Sequence, residues 1–312
     1  MRVLLSGATG FVGRAVHPAL VAAGWRVRCM TRRAAAARAR WPEREWIEGD
    51  AADPEGSRRA LDGCDAALYL IHGMGEGAGY LGREVAAAEC FARAAEAAGV
   101  RRIVYLGGVA PPDAPSHHLG SRASVGEVLR AGAVPATELR ASMIVGLGSL
   151  SWLIVRDLAA RLPVMVLPRW LKSRTEPIAI HDVVAALVAA LAIPDTGCFD
   201  LPGPEVLSGR EILEATAAVL GRPRPRMLEV PFLTPRLSSL WVRFVTRADW
   251  SVAREIVVGL TRDLLAGDDR FFQLAGLPPR RSFTDAARHA LAAERAEAPA
   301  GGLWGKIERA LS

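Results

Sequence analysis

Val3-Leu4-Leu5-Ser6-Gly7-Ala8-Thr9-Gly10-Phe11-Val12-Gly13 passes from an apolar run to helical periodicity through three glycines spaced three residues apart. The run predicts a buried strand and the continuation a helix. Gly7 lets the chain reverse tightly after the strand. Gly10 removes the Cβ that would hold the backbone off a pyrophosphate, and Gly13 allows the helix to pack closely on the sheet. The free N–H groups at the start of that helix would then receive a phosphate anion. The stretch reads as a dinucleotide-binding turn, with Gly7, Thr9, Gly10, Phe11, Val12 and Gly13 facing the ligand.

The next strand bears on which dinucleotide. Ala22-Ala23-Gly24 closes the first helix, Trp25 to Met30 forms a second strand, and Thr31-Arg32-Arg33 follows where the adenosine ribose is expected. An acidic residue there would accept a bond from a free 2′-hydroxyl and repel a 2′-phosphate. A guanidinium offers phosphate a forked, permanently charged partner. Arg32 therefore favours NADP(H), with NAD(H) as second choice. The other reading makes Arg32 and Arg33 only a solvated start to the helix Ala34 to Arg40.

A chain of 312 residues with 51% hydrophobic residues supports one large core or two unequal domains. Cys29, Cys64, Cys90 and Cys198 are far apart in apolar patterns without Cys-x-x-Cys spacing, and read as buried free thiols. The chain starts directly on a core strand and its longest apolar run, Val183 to Ile193, is too short to span a bilayer. The expectation is a cytoplasmic protein with no transmembrane segment. The net charge of +6 is dispersed over arginines, with Lys172 and Lys306 the only lysines. That pattern argues against nucleic acid as a partner. The six histidines show no metal-ligand spacing, and no metal is expected.

Glu45 to Asp50 predicts a third strand ending in Asp50-Ala51, beside the adenine of a dinucleotide; Asp50 either bonds the base or caps the turn before Asp53-Pro54. Ser57 to Asp62 predicts a helix, and Asp65 to Ile71 a strand buried on both faces. Leu70 and His72 close that strand where nicotinamide is expected. Gly75 to Gly79 reads as a mobile linker, and Tyr80 to Ala98 as a helix ended by Gly99. Arg102 to Leu106 is a fifth strand finishing at Gly107-Gly108-Val109. A loop with Pro111, Pro112 and Pro115 carries His117 and His118. A helix from about Ser121 to Ala131 and a sixth strand from Thr137 to Ile144 follow.

Beyond Gly146 the pattern changes. It predicts a helix from Ser151 to Arg161, a strand at Val164 to Leu167, a basic loop at Lys172 to Thr175, and a helix from Val183 capped by Asp182. Cys198 to Gly203 reads as a strand and turn, and Ser208 as the cap of the helix Gly209 to Leu220. Alternating strands and helices predict an α/β fold: a Rossmann-type doubly wound parallel sheet with a smaller mixed C-terminal lobe. The expected division is a binding domain at 1–146, with strands added from about 176–203, a substrate or interaction lobe at 147–298, and a tail at 299–312. That tail carries a short amphipathic piece at Leu303, Trp304, Ile307 and Leu311.

Gly7-x-x-Gly10-x-x-Gly13, the Asp50 turn, Tyr69-Leu70-Ile71-His72, Arg102 to Gly108 and Pro177-Ile178-Ala179-Ile180-His181-Asp182-Val183 occur in an order that resembles the short-chain dehydrogenase/reductase superfamily, in its extended and atypical branch. The match is similar to NAD(P)H-binding proteins of the NmrA-like and YbjT-like kind and spans roughly residues 1 to 235. The resemblance implies an NAD(P)H site, with Arg32 where such relatives carry an arginine near the adenosine phosphate.

The superfamily's catalytic tyrosine, with a lysine four residues later, is missing. The tyrosines are Tyr69, Tyr80 and Tyr105, and no lysine follows any of them at that spacing. Aligning the helix that begins near Ser121 puts His118 at the tyrosine's place and Arg122 at the lysine's. Arginine can hold the nicotinamide ribose without shuttling protons, whereas histidine titrates near neutrality. The other reading leaves both in a polar loop over the cofactor. His72 lines the pocket in either case, and Ser142 and His181 read as packing positions. Trp152, Trp170, Phe232 and Trp241 suit either a hydrophobic ligand or a core. Two functions are consistent with these residues: reduction of a small apolar carbonyl compound, or cofactor binding without turnover as a redox sensor or assembly partner. A homo-oligomer is open in both.

Overall fold

Strands buried on both faces, alternating with helices that each have one apolar side, can satisfy their burial only as a sheet covered on both faces. The computed structural model describes residues 1–72, 80–110, 117–162, 164–168, 172–230 and 262–297, with the backbone alone for 80, 117, 118, 164–168 and 228–230. The expected linker Gly75 to Gly79, the prolines at 111–115, Trp170, Phe232, Trp241 and the tail 299–312 lie outside the described residues.

β1 (Arg2–Ser6) leads through the glycine turn into α1 (Phe11–Ala22). The alternation continues with β2 (Arg26–Thr31), α2 (Ala34–Arg40), β3 (Glu45–Glu48), α3 (Pro54–Leu61), β4 (Ala66–Tyr69), α4 (Tyr80–Ala97), β5 (Ile103–Gly108), α5 (His117–Ala131) and β6 (Ala136–Ala141). Then come β7 (Ile144–Val145), α6 (Leu150–Arg161), β8 (Val164–Pro168), β9 (Arg174–Thr175), β10 (Ile178–Ala179), α7 (Ile180–Ala190), β11 (Gly197–Leu201), β12 (Leu207–Ser208), α8 (Gly209–Val219) and β13 (Arg226–Val230). The last described segment holds α9 (Arg270–Leu274) and α10 (Phe283–Glu297).

Seven strands form one parallel sheet in the order β11-β6-β5-β4-β1-β2-β3. The order reverses between β1 and β4, which makes that junction the switch point where doubly wound sheets open a crevice. Side chains alternate across the sheet. Val3, Leu5, Leu68, Val104 and Leu139 pack with Val16 of α1 and Leu187 of α7. Leu4, Tyr69, Ile103 and Tyr105 pack with Phe91 of α4 and Leu129 of α5. A separate core joins Val145, Trp152, Ile212, Phe283 and Leu291 from β7, α6, α8 and α10.

Several boundaries differ from expectation for local reasons. α3 starts at Pro54 because Asp53 accepts the N–H groups of Glu55 and Gly56. α5 starts at His117, four residues ahead of the expected Ser121. The predicted sixth strand breaks at Ser142 and Met143, so that β7 leaves the main sheet and pairs with β10. Arg174 and Thr175 form a strand against β12 instead of a loop. Asp182 does not cap α7: the cap is Ala179, and the Asp182 carboxylate accepts the backbone N–H of Arg281 at 2.9 Å. Ser208 and Glu211 do form a reciprocal capping box on α8. Cys29, Cys64 and Cys90 are buried, whereas Cys198, on the edge strand, is only half-buried. Burial pushes the Cys29 thiol up to about 12 and that of Cys64 upward as well, which keeps both as inert thiols.

Polar groups inside the sheet fix its register. The Ser6 hydroxyl, fully buried, donates to the Leu68 carbonyl at 2.9 Å and accepts the Leu70 N–H at 3.2 Å. It thereby replaces ladder bonds where β1 and β4 part. Glu138, 2% exposed in the middle of β6, is paired by Arg130 of α5. Gly107 and Gly126 leave it room: a Cβ at 107 would come within 2.7 Å of the carboxylate.

Two stability effects follow. Ser6→Ala leaves the Leu70 N–H buried without its acceptor and should lower the unfolding free energy by about 1–3 kcal/mol. Arg130→Met removes the one ion-pair partner of Glu138 among the described residues and should cost about 3 kcal/mol. Denaturant titration of each variant measures both; a loss below about 0.5 kcal/mol, the ordinary range for a surface change, would contradict either account.

Candidate functional site

The site grows out of the β1–α1 turn. Gly7 sits at φ +70°, where a side chain is strained, and a Cβ there would also come within 2.8 Å of the Leu70 carbonyl carbon. A Cβ on Gly13 would overlap the Gly7 carbonyl oxygen and approach Ala8 Cα to 2.8 Å. Gly10 is the N-cap of α1 and gives it no side-chain cap, and no acidic residue stands in the first turn. The first N–H groups of α1 are therefore left to an outside acceptor, which is the helix-end setting that suits an anion.

This turn borders a cavity of about 360 Å³ at the switch point. Its floor is Gly7, Gly10, Phe11, Val12 and Gly13, with Leu70 and His72 from the end of β4. Gly108, Val109, Leu119 and Arg122 come from β5 and α5; Ser142, Met143 and Ile144 come from the break after β6. α6 closes the far side with Ser149, Leu150, Ile154 and Val155, and Thr175 and Leu264 complete the wall. The lining is mainly aliphatic. Its polar groups are the glycine-turn backbone, His72, Arg122, Ser142, Ser149, Ser151 and Thr175.

Each expected site residue has a definite place. Gly7, Gly10, Phe11, Val12, Gly13, Leu70, His72 and Arg122 meet at the cavity. Thr9 is exposed on the turn beside it. Gly107 does not line the cavity. It lies over Glu138, and the neighbouring Gly108 takes the lining position, with Arg122 Cδ 3.2 Å from where its Cβ would be. Arg32 is exposed just after β2, one strand over from the turn. Asp50 uses one carboxylate oxygen to accept the Ala52 N–H at 3.0 Å, which is the turn role; Ala51 is buried. His118 falls in the first turn of α5, one helical turn before Arg122, and its side chain lies outside the described residues.

Among the described side chains no tyrosine takes the place of the missing tyrosine–lysine pair. Tyr69 and Tyr105 are buried on the α4–α5 side of the sheet, and desolvation holds both phenols well above their ordinary range. The Tyr105 hydroxyl donates to the Arg122 backbone carbonyl at 3.1 Å and so positions the helix that carries Arg122. The His72 ring stands edge-on to Tyr105 with centroids 6.0 Å apart. Ser121 is buried and donates to Glu84, tying α5 to α4.

Sequence reasoning missed most of the wall. Ser149 is the N-cap of α6: it donates to the Ile144 carbonyl at 2.6 Å and accepts the Trp152 N–H. A serine just after Gly148 and ahead of an amphipathic run was the available signal. Ser142, expected only to pack, lines the cavity while donating to the Glu176 carbonyl at 2.8 Å. Leu264 had no signal, because it is brought in by an N–H bond at 2.8 Å to the carbonyl of Arg174, far back in the chain. Trp152, expected to face either ligand or core, is fully buried and donates to Glu294 at 2.9 Å. Among the described residues no group of three His, Cys, Asp or Glu side chains suits a metal ion. No helix among them is long and apolar enough to cross a membrane.

Comparison with known proteins agrees with this geometry. Residues 7–163 match a family model described as NAD(P)H-binding. The ceramide reductase of Caulobacter vibrioides is 32% identical over 241 residues, 73% of this chain and 73% of the relative. A (4-alkanoyl-5-oxo-2,5-dihydrofuran-3-yl)methyl phosphate reductase of Streptomyces griseus is 32% identical over 235 residues, 71% of this chain and 74% of the relative. Triphenylmethane reductase of Citrobacter sp., solved with NADP(H), shares the fold at TM-score 0.70 and 17% identity over 92% of this chain and 100% of its own. With its glycine turn at the switch point of a seven-stranded parallel sheet, the chain belongs to the NAD(P)H-binding family.

Proposed function

We propose that the chain is an NADP(H)-dependent reductase acting on a carbonyl or enone carried by an apolar, alkyl-bearing molecule. The observation that carries this reading is the union, in one cavity, of a glycine cradle that has no room for a Cβ at Gly7 or Gly13 with a largely aliphatic wall from α5, α6 and Leu264. The cradle fits a dinucleotide, which when bound supplies a hydride to the substrate. Gly7, Thr9, Gly10, Phe11, Val12 and Gly13 hold the pyrophosphate through backbone N–H groups and close approach. Arg32 pairs with the adenosine 2′-phosphate, Asp50 and Ala51 border the adenine, and Leu70, His72 and Gly108 border the nicotinamide. Arg122 holds the nicotinamide ribose and stays charged throughout.

The substrate oxygen gains a proton as its carbon gains the hydride, so a proton donor is required. His118, in the first turn of α5 and one helical turn before Arg122, takes that role. Leu119, Met143, Ile144, Ile154 and Val155 receive the alkyl part and exclude water. Two relatives whose names specify a ceramide and an alkanoyl compound support a chain-bearing substrate. A second reading, binding without turnover, is favoured by one feature: no tyrosine of the chain has a lysine four residues later.

Titration of NADPH, NADP+, NADH and NAD+ tests the cofactor reading. The NADP pair should bind more tightly, and Arg32→Ala should erase most of that preference, about tenfold or more, while sparing the NAD pair. Equal binding of all four would refute the role given to Arg32. For the chemistry, NADPH oxidation is followed with a panel of alkyl ketones and enones. His118→Ala should lower kcat by about 10²–10⁴-fold with NADPH affinity unchanged. Tight NADPH binding with no oxidation by any member of the panel would favour the sensor reading.

A further inference from the structure

Val12 and Gly13 of α1 face the dinucleotide cavity, but Arg14 and Ala15 face a second cleft of about 290 Å³. It opens between α1, the end of α2, the start of α7 and α10, and Phe11 borders both spaces. Three guanidiniums converge there, from Arg14, Arg40 and Arg44, against one lining carboxylate among the described residues, Glu297 at the exposed rim.

Two of the three are built in rather than solvated. The Arg44 side chain is 10% exposed, and its Nη1 is buried with no hydrogen-bond partner; its Nε donates to the exposed Glu43 at 3.2 Å. Arg14 Nε is likewise buried without a partner, and the guanidinium fits because residue 148 is glycine: a Cβ there would come within 2.7 Å of Arg14 Nη2. Arg40 and Arg44 lie over the Trp41 ring, at 5.8 and 5.2 Å from its centroid, and Trp41 is itself held by the Trp46 indole N–H at 2.9 Å. His181 and His289 complete the wall, their rings 5.5 Å apart. Burial first, and then the positive charge of Arg44, holds His17 on α1 below its ordinary range. Buried guanidinium N–H groups without acceptors are costly. The cleft that Arg14, Arg40 and Arg44 line carries excess positive charge among the described residues, which is matched by an anion with several acceptor oxygens.

We propose that this cleft is a second ligand site, separate from the dinucleotide cavity, for a phosphate-bearing anion held by Arg14, Arg40 and Arg44 against Trp41. The phosphate belongs either to a small soluble molecule or to a lipid headgroup, and the test separates these sources.

Isothermal titration of the full chain with inorganic pyrophosphate, with and without saturating NADP+, is the direct measurement. With NADP+ saturating the glycine turn, the expected result is one saturable site, which Arg14→Gln and Arg40→Gln each weaken about tenfold; without NADP+ the turn adds a second site that these variants leave unchanged. Arg40 is exposed, so its replacement costs no core, and an unchanged melting midpoint verifies that the variants are folded. Flotation with phosphatidylcholine vesicles containing phosphatidic acid, lost in the same variants, would assign the phosphate to a lipid; pyrophosphate binding without flotation assigns it to a soluble ligand. Loss in saturating NADP+ of the site that depends on Arg14 and Arg40 would make the cleft part of the dinucleotide site and overturn the proposal. So would heats that do not saturate with either variant or wild type, or an affinity that folded variants leave unchanged.

Discussion

Backbone meets backbone at the start of α1 with no side chain between. The Gly13 Cα lies against the Gly7 carbonyl, and Gly7 lies against Leu70. A methyl group at either position would push α1 away from β1 or β1 away from β4. Everything that gives the site its shape depends on that approach. It sets the helix N-terminus at the crevice, it leaves the first N–H groups of α1 facing the cavity, and it lets Ser6 bridge the strands where their ladder ends. The glycines are a cost in the unfolded chain, and the close helix–sheet packing of Val16 and Leu20 against the β1 face offsets it.

The other half of the cavity is held by a different device. Residues 262–297 return to the sheet through backbone N–H groups that donate to carboxylates. Glu176 receives Ala266 at 2.6 Å, Asp200 receives Gly267 at 2.6 Å, Asp182 receives Arg281 at 2.9 Å, and Glu205 receives Phe283 at 2.6 Å. Charge-assisted bonds of this kind are short and directional. Asp200 is itself fixed by Arg140 of β6 at 2.7 Å, so the returning segment is registered on the main sheet as well as on the small paired strands. That registration delivers Leu264 to the cavity wall and α10 to the second cleft.

Sequence reasoning read the sheet well because its signals are local. An apolar run ending in Gly7, with Val3, Leu4 and Leu5 all buried in a strand covered on both faces, and the strand–helix alternation each depend on residues near one another in the chain. The glycine turn, Leu70 and His72 were read from local signals, and Arg122 from the family resemblance; the structure brings them to one cavity. Boundaries failed where a distant partner decided them. The break at Ser142 and Met143 exists because β7 pairs with β10, more than thirty residues on. Asp182 looked like a cap, since an acidic residue before an apolar helix is one by default; the distant Arg281 N–H claims it instead. Gly107 and Gly108 were indistinguishable in the sequence, and only the sheet's two faces separate the one over Glu138 from the one at the cavity.

The sequence by itself determined the fold class, the NAD(P)H-binding turn and the lack of the tyrosine–lysine pair. Strand hydrophobicity, glycine spacing and the identity of a residue four places away are properties of short stretches. Only the tertiary structure decided which groups share a space. It brought α6, Thr175 and Leu264 to one side of α1, and Arg40, Arg44, His181 and His289 to the other. The physical reason is that such assemblies rest on contacts between segments up to two hundred residues or more apart, which burial and hydrogen bonding select only once the whole sheet and its covering helices are in place.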